Sequence, residues 1–137
     1  MGLAMLSYEP DVICASADEW RRLRLSTLLE QAGYHVRTCA TARELLQLAA
    51  HRRPQIDDIG VLLLDIQLSD RIPAASIVSA LRRSGSTVRT VVLAESHRET
   101  EIIECLRVGA DDFVHLPAEP SEVVDIVGRV LSLPNIR

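Results

Sequence analysis

The sequence predicts an α/β domain in which a five-stranded parallel sheet is doubly wound, with helices on both faces. Three observations predict it. Five short apolar runs alternate strictly with five segments of helical periodicity. The connections between them are short, which makes the strands parallel and places crossover helices on both sides of the sheet. The third apolar run, Val61-Leu62-Leu63-Leu64, shows no polar alternation, as expected of a strand buried on both faces.

The elements follow in order. Val12–Ala15 is the first strand, and Asp18 is placed to cap the amphipathic segment Glu19–Ala32, where Leu25, Leu28, Leu29 and Ala32 recur at helical spacing and Gly33 supplies the stop. His35–Cys39 is the second strand. Thr41-Ala42-Arg43-Glu44 has the form of a capping box opening a helix through Leu45, Leu46, Leu48 and Ala49, with Arg53-Pro54 as its end. Val61–Leu64 ends abruptly in Asp65. After the loop Ile66–Ile72 a third helix spans about Pro73–Arg83, closed by Ser84-Gly85-Ser86. Val88–Ala94 is the fourth strand and Arg98–Val108 the fourth helix, with Ile102, Ile103 and Leu106 on one face and Gly109 beyond its end. Asp112–Leu116 and Ser121–Leu131 complete the pattern.

A chain of 137 residues suits one domain, here residues 1–137 with a core of about 11–132, and is long enough to bury a proper core. Apolar residues make up 47 %, yet there are only one Phe, one Trp and two Tyr, so the core is aliphatic. No apolar run approaches the roughly 18 residues of a membrane span. Met1–Pro10 carries neither a positive charge nor a long apolar stretch, so it does not read as a signal peptide, and a cytoplasmic protein without membrane contact is expected. The net charge of −4 argues against a nucleic-acid surface. All 15 basic residues are Arg. Cys14, Cys39 and Cys105, far apart and in apolar surroundings, read as small core residues of a reducing compartment, and the four His lack ligand spacing. Leu133–Arg137 reads as a tail or the start of a linker to an effector domain.

In doubly wound sheets, ligands gather at the C-terminal ends of the strands, near the point where strand order reverses. The residues there are Ser16, Ala17 and Asp18 after strand one, Asp65 after strand three, Ala94 and Glu95 after strand four, and Leu116-Pro117 after strand five. No Gly-rich phosphate loop follows the first strand, which disfavours a nucleotide-binding enzyme.

Two blocks resemble a known family. Val61-Leu62-Leu63-Leu64-Asp65-Ile66-Gln67-Leu68 is similar to the third strand and phospho-acceptor loop of response-regulator (CheY-like) receivers, and Gly109-Ala110-Asp111-Asp112-Phe113-Val114-His115-Leu116-Pro117 resembles their fifth-strand signature. The resemblance covers roughly Asp11 to Leu131. It implies a flavodoxin-like (βα)5 fold with strand order 2-1-3-4-5 and a role in two-component phosphorelay signalling, not an enzyme. It further implies an aspartate that accepts phosphate from a sensor histidine kinase, and a Mg²⁺ ion held by acidic residues after strand one. A Lys before the strand-five Pro and a Ser or Thr after strand four would grip the phosphoryl group. That grip reshapes the helix 4–strand 5–helix 5 face, which also serves for homodimers.

Carried over residue by residue, Asp65 matches the acceptor, Pro117 the Pro (with Leu116-Pro117 as a cis bond) and Phe113 the switch aromatic. The acidic pair falls at Ser16 and Ala17, with Asp18 just beyond. Leu116 stands at the Lys position and Ala94, followed by Glu95, at the Ser/Thr position. The family pocket is therefore degenerate, and an acyl phosphate there would hold about two poorly compensated charges, costing several kcal/mol.

Asp18 and Glu19 read as a displaced metal pair, with Asp18 and Asp65 as ligands, or as a helix cap and first-turn acid, which the helix dipole favours. Strand alternation points His115 away from the Leu116 face. Glu95 reads either as a solvated loop charge or as a pocket carboxylate. Around Phe113, the partner surface draws on Ile102, Arg107, Val123 and Ile126. Two functional readings follow: a receiver phosphorylated on Asp65, or a pseudo-receiver acting through protein–protein contacts without phosphate. The alternatives are an atypical N-terminal receiver that targets a pilus-assembly or localisation ATPase, and a flavodoxin-like enzyme.

Overall fold

A computed structural model describes residues 12–50 and 59–133. The expected helix end at Arg53-Pro54, the Met1–Pro10 segment and the tail beyond Leu133 lie outside these residues. The elements are β1 (Val12–Ala15), α1 (Glu19–Gln31), β2 (Val36–Cys39), α2 (Ala42–Ala50), β3 (Val61–Asp65), α3 (Ala74–Arg83), β4 (Arg89–Glu95), α4 (Glu99–Arg107), β5 (Asp112–Leu116) and α5 (Pro120–Leu131), with a 3-10 turn at Ser96–Arg98 before α4. The five strands form one sheet in the order β2-β1-β3-β4-β5. Every pairing is parallel. Boundaries differ from the sequence reading by a residue or two, mainly where Pro73 caps α3 from outside and where the first turn of the fourth helical segment tightens into 3-10.

The unbroken apolar run of β3 has a physical reason. Its residues point alternately to two cores, because the strand lies in the middle of a sheet covered on both sides. Leu62 and Leu64 join Leu45 of α2, Ile77 and Leu81 of α3 and Ile102 of α4. Val61 and Leu63 join Leu25 and Leu29 of α1 and Val123 and Val127 of α5. Each of these Leu side chains contributes about 1.5–3 kcal/mol by leaving water. Cys14, Cys39 and Cys105 are free and buried, as expected. Burial first of all pushes their thiols up, to about 12 for Cys14 and Cys39 and about 11 for Cys105, so they remain unreactive.

Ile102, Val123 and Ile126, expected around the Phe113 surface, are instead core residues, each at most 5 % exposed. Their helical spacing is the spacing of an inward face. Ile103 and Arg107 are the α4 residues on that side that reach solvent.

Two closures hold the helix ends. Gly33 takes φ 99° after α1, where the Gly33 and Tyr34 N–H groups donate back to Glu30 and Leu29 carbonyls. At the opposite end of the sheet from Asp65, Arg82 of α3 donates to the Gly109 carbonyl at 3.0 and 3.2 Å and pairs with Asp111 at 3.5 Å. Its side chain lies 3.1 Å from where a Cβ on Gly109 would stand, and that glycine has φ 123°.

The start of α2 departs from the expected box. Thr41 Oγ1 accepts from Glu44 N–H at 3.0 Å, but Glu44 reaches back to the N–H of Ala40 (3.2 Å). The N–H groups of Ala42 and Arg43 are met from the β3–α3 loop, by Asp70 at 3.0 and 3.1 Å. These bonds, with that from Ala42 the largest influence, hold the exposed Asp70 carboxyl below the usual carboxylate range.

A depressed folded pKa stabilises above the unfolded value of about 3.9 and loses its effect as pH falls through the folded value. Asp70→Ala is therefore expected to lower Tm at neutral pH. Thermal melts across pH should show the gap to wild type closing in acid; a gap that stays constant with pH contradicts the cap.

Candidate functional site

The chain passes from β1 to β2 on one side and later returns to place β3 on the other, so the C-terminal ends of β1 and β3 flank the reversal of strand order. β1 delivers Ser16, fully buried, and β3 delivers Asp65, 3 % exposed. Ser16 Oγ donates to Asp65 Oδ2 at 2.6 Å, and the Asp18 N–H donates to Ser16 Oγ at 3.1 Å. The Gln67 N–H donates to Asp65 Oδ1 at 3.0 Å.

A buried carboxylate demands a countercharge, and here it comes from α1. Arg21 Nη1 lies 2.5 Å from Asp65 Oδ2, with the Arg21 side chain 23 % exposed. The next residue, Arg22, donates from Nη1 to the Ser16 carbonyl at 2.6 Å. Asp18 caps α1, its Oδ1 accepting from the Arg21 N–H at 3.0 Å. Arg21 thus bonds Asp18 through its backbone and Asp65 through its side chain. The two Asp oxygens carry three bonds, and no buried side-chain polar atom among the described residues lacks a partner.

Leu116 stands at the Lys position, and the cation beside Asp65 comes instead from the first turn of α1, whose Arg21 guanidinium reaches it. A signal was present. Two Arg in the first turn of a helix oppose its dipole, a cost of about 0.3–1 kcal/mol each at the surface, so their presence there calls for an anionic or carbonyl partner nearby.

The space over Asp65 is lined by Arg21, Gln67, Ala94, Glu95 and Arg98 and measures about 10 Å³, barely one water. Ala94 is buried there and offers no hydroxyl. Glu95 is exposed, with Oε2 3.4 Å from His97 Nδ1, which fits a solvated loop charge. Arg98 is held by Glu101, with Nη2–Oε2 at 2.7 Å and a second contact through Nε. That contact is the main influence raising the Arg98 pKa and lowering that of Glu101.

The other expected residues lie apart. Ala17 is exposed and its N–H donates to the Gln67 carbonyl at 2.9 Å. Leu116 packs toward the α1–α5 core and, with the cis Pro117 and Trp20, lines a groove of about 470 Å³ that adjoins the space over Asp65 and shares Arg21 and Glu95 with it. Phe113 is half-buried, its ring 5.0 Å from that of the exposed His115.

The donor set does not fit a divalent ion. Asp65 has both oxygens engaged, the neighbouring positions are Ser and Ala, and Asp18 spends an oxygen on the helix cap. Among the described residues no three His, Cys, Asp or Glu side chains converge as metal ligands. Mg²⁺ is held through one or two free carboxylates completed by water, and here both oxygens of Asp65 are already bonded.

Comparison with known proteins agrees with the fold. A family model described as "Response regulator receiver domain" matches residues 12–128. The response regulator SaeR of Staphylococcus aureus is 28 % identical over 106 residues, which cover 77 % of this chain and 43 % of SaeR; the chain spans less than half the length of such curated relatives. Among solved structures, the receiver domain of NtrX from Brucella abortus superposes with a TM-score of 0.80 at 19 % identity, covering 90 % of this chain and 100 % of that one. The chemotaxis response regulator CheY4 of Vibrio cholerae gives a TM-score of 0.76 at 25 % identity, covering 90 % and 99 %. No described helix is long and apolar enough to cross a membrane. A sheet ordered β2-β1-β3-β4-β5 with Asp65 at the end of its central strand, together with a family match over most of the chain, places this chain in the response regulator receiver domain family.

Proposed function

We propose that this chain is a single receiver module of two-component signalling that acts as a pseudo-receiver, through protein–protein contacts and without phosphorylation of Asp65. The observation that carries the reading is the engagement of Asp65, whose two oxygens are bonded by Ser16, Arg21 and the Gln67 N–H. A phosphoryl group on Asp65 would have to displace Arg21 and would then meet Ala94 where the family offers a hydroxyl. Leu116, at the Lys position, packs against apolar neighbours. A ligand shifts a conformational equilibrium only by the difference in its affinity for the two states. With no hydroxyl and no Lys to grip it, a phosphoryl group has little differential contact to pass on to Phe113.

The partners proposed are those of the family: a sensor histidine kinase or another signalling protein, and a second copy bound through the α4–β5–α5 face. That face presents Ile103 at 47 % exposure and the Asp112–Arg129 pair at 3.7 Å. Mg²⁺, the family's cofactor, is not required in this reading.

Acetyl phosphate with Mg²⁺, followed by intact mass, is expected to leave the wild-type chain unlabelled. Labelling that disappears in Asp65→Asn overturns the reading. Self-association of Asp65→Asn, measured by sedimentation, should match wild type within about threefold; a loss of about tenfold, or about 1.4 kcal/mol, in a variant that still melts cooperatively would restore Asp65 as a working switch.

A further inference from the structure

We propose that Arg21 is a tethered cation: beside Asp65 its guanidinium takes the place that a divalent ion takes in the family, and it bars such an ion from the pocket. The inference deepens the pseudo-receiver reading by naming what holds the pocket shut.

Arg21 Nη1 lies 2.5 Å from the same Asp65 oxygen that accepts from Ser16 at 2.6 Å, so Oδ2 already takes two strong hydrogen bonds. A divalent ion would have to approach the region already filled by a positive charge. Repulsion and the lack of a second carboxylate act together against it.

The chemistry of the two cations differs in a way that matters. A free ion is bound in proportion to its concentration, so a pocket that depends on it is conditional. A guanidinium stays protonated at any physiological pH and is always present at its site. Asp65 is therefore neutralised permanently, and the pocket rests in one state.

The tether also fixes where the charge is held. Arg21 sits on the first turn of α1, which Arg22 fastens a second time to the Ser16 carbonyl and Asp18 caps. The side-chain bonds of Asp65 run to β1, α1 and its own loop, and none of them runs to a side chain of β4 or β5. Trp20, adjacent to Arg21 and 74 % exposed, is the only Trp of the chain and reports on that turn.

The test compares wild type, Ala17→Asp, Arg21→Ala and the double variant, titrated with MgCl₂ and followed by Trp20 emission and by Tm. Ala17→Asp restores one carboxylate where the family has an acidic pair. With Arg21 in place it should gain little, less than about threefold in Mg²⁺ affinity; the double variant should bind at least about tenfold more tightly than either single one, a non-additive gain. Ala17→Asp alone binding as tightly as the double variant, or a double variant that gains nothing, overturns the proposal. Arg21→Gln replaces Arg21→Ala if the latter fails to melt cooperatively. Mg²⁺ binding is read without phosphorylation, so failure here leaves the acetyl-phosphate test of the pseudo-receiver reading standing on its own.

Discussion

A carboxylate at the end of the most deeply buried strand is the constraint on which the rest of the site depends. β3 runs through the middle of the sheet with Leu62 and Leu64 in one core and Val61 and Leu63 in the other, and it ends in Asp65. Nothing apolar can satisfy that charge, and water reaches it poorly. The first turn of α1 resolves the problem by turning a guanidinium inward, while Ser16 and the Gln67 N–H complete the coordination of both oxygens. The bonds of Asp18, Arg21 and Arg22 then make α1, β1 and β3 a single unit at the C-terminal edge of the sheet. Partial exposure of Arg21 lowers its own desolvation cost, which is why such a pair can be net favourable where a fully buried one often is not.

On the proposed reading, the same arrangement separates fold from switching. The strand order β2-β1-β3-β4-β5 is that of the receiver fold, the Leu116-Pro117 bond is cis and Phe113 is half-buried. What differs is the chemistry above Asp65. Ala94 and Leu116 are apolar, Glu95 turns out toward His97, and Arg21 closes the space between. On the proposed reading, a domain built this way keeps a receiver's fold while Arg21 holds its pocket in one electrostatic state, and it acts through its surfaces alone.

Much of this was legible in the sequence. The strict alternation of apolar runs and helical periods, the unalternating Val61–Leu64 and the stop at Gly33 follow directly from periodicity and turn chemistry, and the Asp18 cap from local hydrogen bonding. Asp65 at a strand end near the reversal of strand order was legible for the same reason. The partner of Asp65 was not, because Arg21 is 44 residues away and the pairing depends on where α1 lands on the sheet. Asp70 capping α2 across 28 residues escaped for the same reason. Ile102, Val123 and Ile126 were placed on a partner surface by family resemblance, although their spacing alone marks them as core. The transferable lesson is electrostatic: cationic residues in the first turn of a helix, against its dipole, point to an unseen anion.

Arg21 and Asp65 stabilise each other directly if their pairing organises the site, and a double-mutant cycle of Arg21→Ala, Asp65→Asn and the combined variant, read by urea unfolding, measures that coupling. The expected coupling is about 1–3 kcal/mol, below the figure for a fully buried pair because Arg21 is partly solvated. Effects that add within about 0.5 kcal/mol would show instead that the guanidinium and the carboxylate act independently.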